Sequence, residues 1–179
     1  MKNNTYTLAT RGLHWLVGLT MLSLLIVGFV MATFEIWALY DLHKSFGVLA
    51  ILLILPRVIY RLVKGFPSTN EAHKVWEQKV SHIIHWVLLI GTILMPVTGM
   101  LYSGFGGYGL DVFGISLISE NIVDDDIVSY NESVFVIAKT AHWVIGYCLG
   151  AAIFLHIAGA LKHHFIDKDD TLNRMTGKA

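Results

Sequence analysis

Four long stretches of this chain carry no acidic or basic side chain, and nothing else in the sequence constrains the fold as tightly. Residues 13–34, 45–56, 83–110 and 140–161 contain no Asp, Glu, Lys or Arg, and the second stays apolar past Arg57 to Val63. An α-helix needs about 20 mainly apolar residues to cross a bilayer. The pattern predicts four transmembrane helices, over about 12–34, 43–63, 82–103 and 139–163. The expected fold is all-α: one membrane domain, 1–179, built as a four-helix bundle. Charged residues make up 15% of the chain, against about a quarter in soluble domains. A chain of 179 residues is too short to cover four such helices with polar layers, which excludes a soluble bundle. The first apolar run is too long for a signal peptide and no small-x-small cleavage site follows it, so the first helix is expected to be retained.

Lysine and arginine set the orientation. Lys2 and Arg11 precede the first helix; Arg57, Arg61, Lys64, Lys74 and Lys79 lie at or between the ends of the second and third; Lys162, Lys168, Arg174 and Lys178 follow the fourth. The opposite side has only Lys44 and Lys139. By the positive-inside rule the basic side is cytoplasmic, so both termini are expected there. The formal net charge of zero hides this polarity. No basic patch with interleaved aromatics remains for nucleic acid. Trp37 and Tyr40 suit the outer interface and Trp15 and Trp86 the inner one.

The connections are unequal. Gly65 and Pro67 stop the second helix, and Ser68-x-x-Glu71 reads as a capping box that starts a short helix before the third. The segment 103–138 is the only long loop. It opens with the glycine-rich SGFGGYGLDVFG and carries Asp124, Asp125 and Asp126. Such an outer acidic loop is either simply solvated or docks a basic partner. The single cysteine, Cys148, cannot form an internal disulfide, and the absence of C-x-x-C-H excludes covalent c-type haem.

Nine histidines sort by depth. His43 and His142 lie at the outer ends of their helices. His14, His82, His85 and His156 lie at the inner side, with His73, His163 and His164 at the inner interface or beyond. Fourteen residues separate His142 from His156, about 21 Å and 40° short of four full turns. Both imidazoles therefore share a face at two depths, where ionisable residues normally turn into the bundle. Zinc wants four ligands with thiolate or carboxylate help. A b-type haem brings four of its own and needs only axial ligands. One histidine pair per level meets that need. The outer pair is His43 with His142.

The inner level has a surplus, and small residues help choose. A flat macrocycle beside a helix needs a small side chain one turn from its ligand. Gly18 follows His14, Gly47 follows His43, Gly146 follows His142 and Ala160 follows His156 at that spacing, whereas Trp86 follows His82 and Leu89 follows His85. This favours His14 with His156. Gly146 and Gly150 also form a G-x-x-x-G, a helix-contact motif. Propionates need cations, and the candidates are Lys44 and Lys139 outside and Arg11 and Arg57 inside. Arg57 lies fourteen residues after His43, on the same face at the inner depth; its competing role is snorkelling to headgroups.

These residues resemble the bacterial cytochrome b561 family of small inner-membrane di-haem cytochromes. The likeness rests on RGLHW at 11–15, LHKSFG at 42–47, PRVIYRL at 56–62, HIIHW at 82–86, MPVTG at 95–99, AHW at 141–143, and LHIAGALKHHF with DDTLNRM to Met175. It implies two non-covalent b haems, ligated by His14 and His156 near the cytoplasm and by His43 and His142 near the periplasm. It also implies electron exchange with the quinone pool, ubiquinone among the candidates. His85, His163 and His164 are inner-side candidates for quinone and proton handling, because histidine titrates near neutral pH. Some relatives oxidise periplasmic superoxide, and others anchor periplasmic redox enzymes. The outer loops depart from a superoxide-collecting surface. Glu35, Asp41, Asp111, Glu120, Asp124, Asp125, Asp126 and Glu132 face two lysines there, where an anionic substrate calls for positive charge. The expected function is electron transfer across the membrane between a periplasmic partner and quinone. Superoxide oxidation and an anchor role are the alternatives, and a channel or scaffold is the non-redox one.

Overall fold

The computed structural model describes residues 6–66 and 73–178. Lys2, Pro67 and the Ser68-x-x-Glu71 capping box fall outside the described residues. Four long helices dominate: α1 Leu8–Thr33, α2 Ala38–Lys64, α3 Val75–Phe105 and α4 Glu132–Phe165, followed by the short α5 Thr171–Thr176. Each of the first four is long and apolar enough to cross a membrane. Their exposed faces carry side chains such as Leu19, Leu52, Ile59 and Phe154, which suits hydrocarbon solvent rather than water. This is a multi-pass membrane protein.

The helices outrun the apolar stretches that announce them. α3 begins at Val75 rather than at 82, and α4 at Glu132 rather than at 139. Their 31 and 34 residues reach about 46 and 51 Å at 1.5 Å per residue, well beyond a hydrocarbon core of about 30 Å. The extra turns are polar and capped. The Asn131 side chain accepts the Val134 N–H at 3.1 Å at the start of α4, and the Lys74 N–H is met by Glu77 at 3.3 Å at the start of α3. Apolarity marks where lipid begins, whereas caps mark where the helix begins. His43 and His142 therefore stand inside their helices rather than at the first residue. Gly65 ends α2 as expected, with φ of 72° and its N–H on the Arg61 carbonyl.

α3 packs along α4 and α1 along α2; α2 meets α3, and α1 touches α4 more sparsely. The core is one chain of apolar contacts from Val17, Met21 and Leu25 through Ala50, Ile54 and Val58 to Leu89 and Leu149. Gly91 makes the closest approach possible, since a Cβ there would stand 2.6 Å from Leu149 Cδ2.

The connection between α3 and α4 is not a loose loop. β1 Tyr108–Val112 pairs antiparallel with β2 Ile115–Glu120, and β3 Ile122–Val123 with β4 Asp126–Ile127. Two-residue turns join each pair: Phe113–Gly114 and Asp124–Asp125, all with positive φ, as tight hairpins require. The acidic run thus forms the tip of a small hairpin. The first hairpin is fastened to the bundle. Ser45 Oγ donates to the Asp111 carbonyl at 3.2 Å and accepts the Phe113 N–H at 3.1 Å, while Ser103 Oγ donates to the Gly109 carbonyl. At the other end α5 folds back on α1. Trp15 Nε1 donates to the Met175 carbonyl at 3.3 Å, and the Arg11 guanidinium lies against Gly177, where a Cβ would have no room.

Candidate functional site

The two histidines on α4 each meet a partner across the bundle. At the outer level His43 of α2 and His142 of α4 have ring centres 6.4 Å apart. At the inner level His14 of α1 and His156 of α4 stand 5.9 Å apart. Two imidazoles that grip one metal from opposite sides, each at about 2 Å, place their ring centres roughly 6.3 Å apart. Both pairs fit that spacing.

The hydrogen bonds of His142 settle which nitrogen is free. Nδ1 lies 3.1 Å from the Met95 carbonyl and 3.1 Å from Thr98 Oγ1. A carbonyl only accepts, and the Thr98 hydroxyl already donates to Leu94 at 2.8 Å. Nδ1 therefore carries the proton, and Nε2 keeps a bare lone pair. Metal-binding histidines are generally held in this way. Pro96, beside these groups in α3, removes one rung of the backbone ladder at that depth. On the opposite side, His43 Nδ1 is buried without a partner among the described residues.

Two further glycines, Gly28 and Gly99, back these rings. A Cβ on Gly28 would stand 3.2 Å from His43 Cε1, and one on Gly99 would stand 3.0 Å from His142 Cε1. Each lets a neighbouring helix back onto an imidazole. Spacing along one helix marks a glycine one turn from a ligand, but not a glycine on the helix opposite. The glycine of MPVTG was the available signal for Gly99.

The glycines one turn after the candidate ligands have little beside them. Among the described residues, Gly18 and Gly47 have nothing within 4 Å of where a Cβ would be, and at Gly146 Met95 Cε comes to 3.4 Å. Ala160 is half-buried. Leu149, seven residues from each α4 histidine, is 1% exposed and fills the bundle between the levels.

The inner level is more crowded. His85 of α3 lies 5.4 Å from His156, nearer than His14 does, but its face is covered by Phe66 at 5.6 Å and 11°. His82 is occupied by the Trp86 indole N–H at 3.1 Å. Arg57 approaches His14 Nδ1 at 3.2 Å. A guanidinium only donates, so in this arrangement Nδ1 accepts and Nε2 bears the proton. Arg57 must release His14 before Nε2 can ligate a metal.

The remaining candidate residues divide. Arg11 Nε is buried without a partner among the described residues. Lys44 pairs with Asp41 at 3.2 Å and reaches the Tyr108 carbonyl at 3.4 Å. Lys139 lies over the Phe135 ring at 5.5 Å. His164 packs edge-on against Phe165, with Nδ1 buried and unpartnered among the described residues. His163 belongs to a separate polar cluster with His73.

A family model described as prokaryotic cytochrome b561 matches residues 5–178. Cytochrome b561 homolog 2 of Escherichia coli (strain K12) is 26% identical over 179 residues, covering 97% of this chain and 92% of its own length. A protein named probable superoxide oxidase CybB, from Yersinia pestis, is 26% identical over 178 residues, covering 97% of this chain and 96% of its own. Cytochrome b561 homolog 1 of Escherichia coli (strain K12) is 28% identical over 138 residues, which is 75% of this chain and 73% of that one.

Proposed function

The chain belongs to the prokaryotic cytochrome b561 family, whose members bind b-type haem, and from that premise we propose a di-haem cytochrome that carries electrons across the inner membrane between an outer-side redox partner and the quinone pool. The observation that carries this reading is the pair of level-matched imidazole couples, 6.4 and 5.9 Å between ring centres. When bound, two b haems supply one-electron centres at two depths, which replaces a single jump across the bilayer by shorter ones.

The residues divide the work. His43 and His142 hold the outer group and His14 and His156 the inner one. The Met95 carbonyl and Thr98 keep the proton of His142 on Nδ1, which raises the basicity of the ligating nitrogen. Arg57, now 3.2 Å from His14 Nδ1, would serve as an inner cation for a propionate, and His14 would then be free to present Nε2. Gly18, Gly47, Gly146 and Ala160 leave room for the rings. Arg11 is the second inner cation, and Lys44 and Lys139 serve the outer level. Both termini lie on the cytoplasmic side. His85 sits against the inner ligand His156 and is the leading candidate to pass a proton to quinone. Phe66, which covers it, also lines a cleft with Tyr6, Thr10, Tyr60 and Arg61 that suits a quinone headgroup.

A reduced-minus-oxidised spectrum with pyridine haemochrome quantification tests the core reading. Two b haems per chain are expected. His142→Ala loses the outer one, His156→Ala the inner one, and His85→Ala keeps both. One haem or none in the native protein overturns the assignment.

Superoxide oxidation is the second reading, favoured by the Yersinia pestis relative's name and its near full-length match. The outer face argues the other way. Lys44 is paired with Asp41, and the hairpin tip at Asp124 and Asp125 is acidic and exposed. Stopped-flow mixing with superoxide decides between them, since absence of haem reduction at every ionic strength excludes the enzyme.

A further inference from the structure

On the basic side of the bundle, apart from both histidine couples, a second cluster has the chemistry of a metal site. His73, just before α3, and His163, near the end of α4, stack face to face with ring centres 3.9 Å apart and planes at 11°. Two carboxylates close on them. Asp169 Oδ2 lies 2.6 Å from His73 Nε2 and 3.8 Å from His163 Nδ1, and Asp167 Oδ2 lies 2.7 Å from His163 Nδ1. One ligand atom each from His73, His163 and Asp167 fall within 4.8 Å of one another.

The donors are fixed by the backbone around them. Gln78 Nε2 holds the His73 carbonyl at 2.8 Å. The Thr171 N–H occupies Asp169 Oδ1 at 2.8 Å, which leaves Oδ2 to face the imidazoles. The Asp169 N–H bonds the His163 carbonyl at 3.1 Å, and the Asp167 N–H bonds that of Lys162 at 3.2 Å. The side chains of His73 and Asp169 are each 12% exposed, so the site is recessed yet reachable from water.

We propose that His73, His163, Asp167 and Asp169 bind one divalent first-row transition ion of the zinc class. Two imidazoles and two carboxylates make a four-donor set of the kind zinc accepts. Their two negative charges match the ion's two positive ones. A tetrahedral site sets its donors about 3.3 Å apart, so the 2.6 and 2.7 Å His–Asp pairs open, the 3.8 Å pair closes and the imidazoles tilt as the ion enters. Lys162 is the competing cation. It touches Asp167 at 2.7 Å and Glu77 at 2.8 Å, and it keeps Glu77 when it gives up Asp167. The bound ion ties the entrance of α3 to the end of α4 and the turn before α5.

The test uses the full-length, haem-loaded protein in detergent, stripped with chelator and titrated calorimetrically with Zn²⁺. One ion per chain at micromolar affinity or tighter is expected, with a rise in melting temperature on Zn²⁺ addition. His73→Gln and Asp167→Asn each weaken binding at least tenfold and abolish the rise, with an unchanged haem spectrum reporting an intact bundle. His164→Ala, outside the donor set, leaves binding unaltered. Failure to bind Zn²⁺ stoichiometrically, or equal binding by the native protein and the His73→Gln/Asp167→Asn double variant, overturns the proposal and leaves the cluster as ion pairs.

Discussion

Gly99 offers the sharpest test of how the outer imidazole is held. A Cβ there would lie 3.0 Å from His142 Cε1 and 3.4 Å from Nδ1. Carbon atoms pack comfortably at about 3.5–4.0 Å, so alanine forces the ring back by roughly 0.5–1 Å. The ring has little freedom to retreat, because its Nδ1 is fixed at 3.1 Å by the Met95 carbonyl and by Thr98 on the same helix as the glycine. Overpacking of this kind costs about 1–3 kcal/mol, or roughly 5- to 150-fold in affinity for the outer haem at 1.4 kcal/mol per decade. Alanine's better helix propensity returns at most about 1 kcal/mol, and it stabilises the haem-free chain equally, so it does not restore binding. Gly99→Val should do more damage than Gly99→Ala. Haem per chain is read by pyridine haemochrome, and a redox titration shows which component is lost. Two controls separate ligand displacement from general packing. Gly150→Ala meets nothing within 4 Å and should be silent. Gly91→Ala meets only the flexible end of Leu149 and should change melting temperature but not haem count. If Gly99→Val keeps two low-spin haems with unaltered midpoints, the reasoning that α3 positions His142 is wrong.

Three further outcomes follow from the same geometry. Leu149→Ala should destabilise the bundle by about 2–5 kcal/mol, because the side chain is 1% exposed; thermal unfolding should show this while both haems remain. Arg57→Gln should lower the midpoint potential of the inner haem, because a nearby cation favours the reduced, less positive state; an unchanged potential would place Arg57 at the headgroups instead. Asp167 and Asp169 make the inner cluster acid-sensitive in metal-free protein. The hydrogen bond from Lys162 holds Asp167 below the ordinary carboxylate value of 3.8. Burial pushes Asp169 upward, but its bonds from Thr171 and His73 outweigh that and leave it below the same value. The two depressed groups contribute stability that is complete above about 3.8 and fades as pH falls through their folded values. Lys162 bridges Asp167 and Glu77, and His73 and His163 face the aspartates, so proteolysis of the C-terminal segment at falling pH should begin only below that point.

Much of this protein is legible in its sequence because lipid is an unforgiving solvent. Uninterrupted apolar runs have few folds open to them, so the four helices and their order follow from pattern alone. The fourteen-residue interval between His142 and His156 is a property of one helix, and helical geometry places both rings on one face without any knowledge of neighbours. What remained hidden depends on two or more helices meeting. Gly28 and Gly99 matter because of imidazoles on other helices; MPVTG contains Gly99, but nothing within that motif shows its contact with His142. The tautomer of His142 is decided by carbonyl and hydroxyl groups of α3. At the inner level a spacing argument separates His14 from His85, yet only packing shows Phe66 lying over His85 and Arg57 against His14. Nothing local in residues 103–138 announces the two hairpins they form or the Ser45 and Ser103 bonds that fasten the first one to the bundle, while the acidic tip of the second is exposed. The His73–His163 stack joins residues ninety positions apart through the meeting of a helix start and a helix end. Periodicity within a helix is written locally, one residue after another. Contact between helices is settled by shape and hydrogen bonding across the bundle, which exists only once the chain has folded.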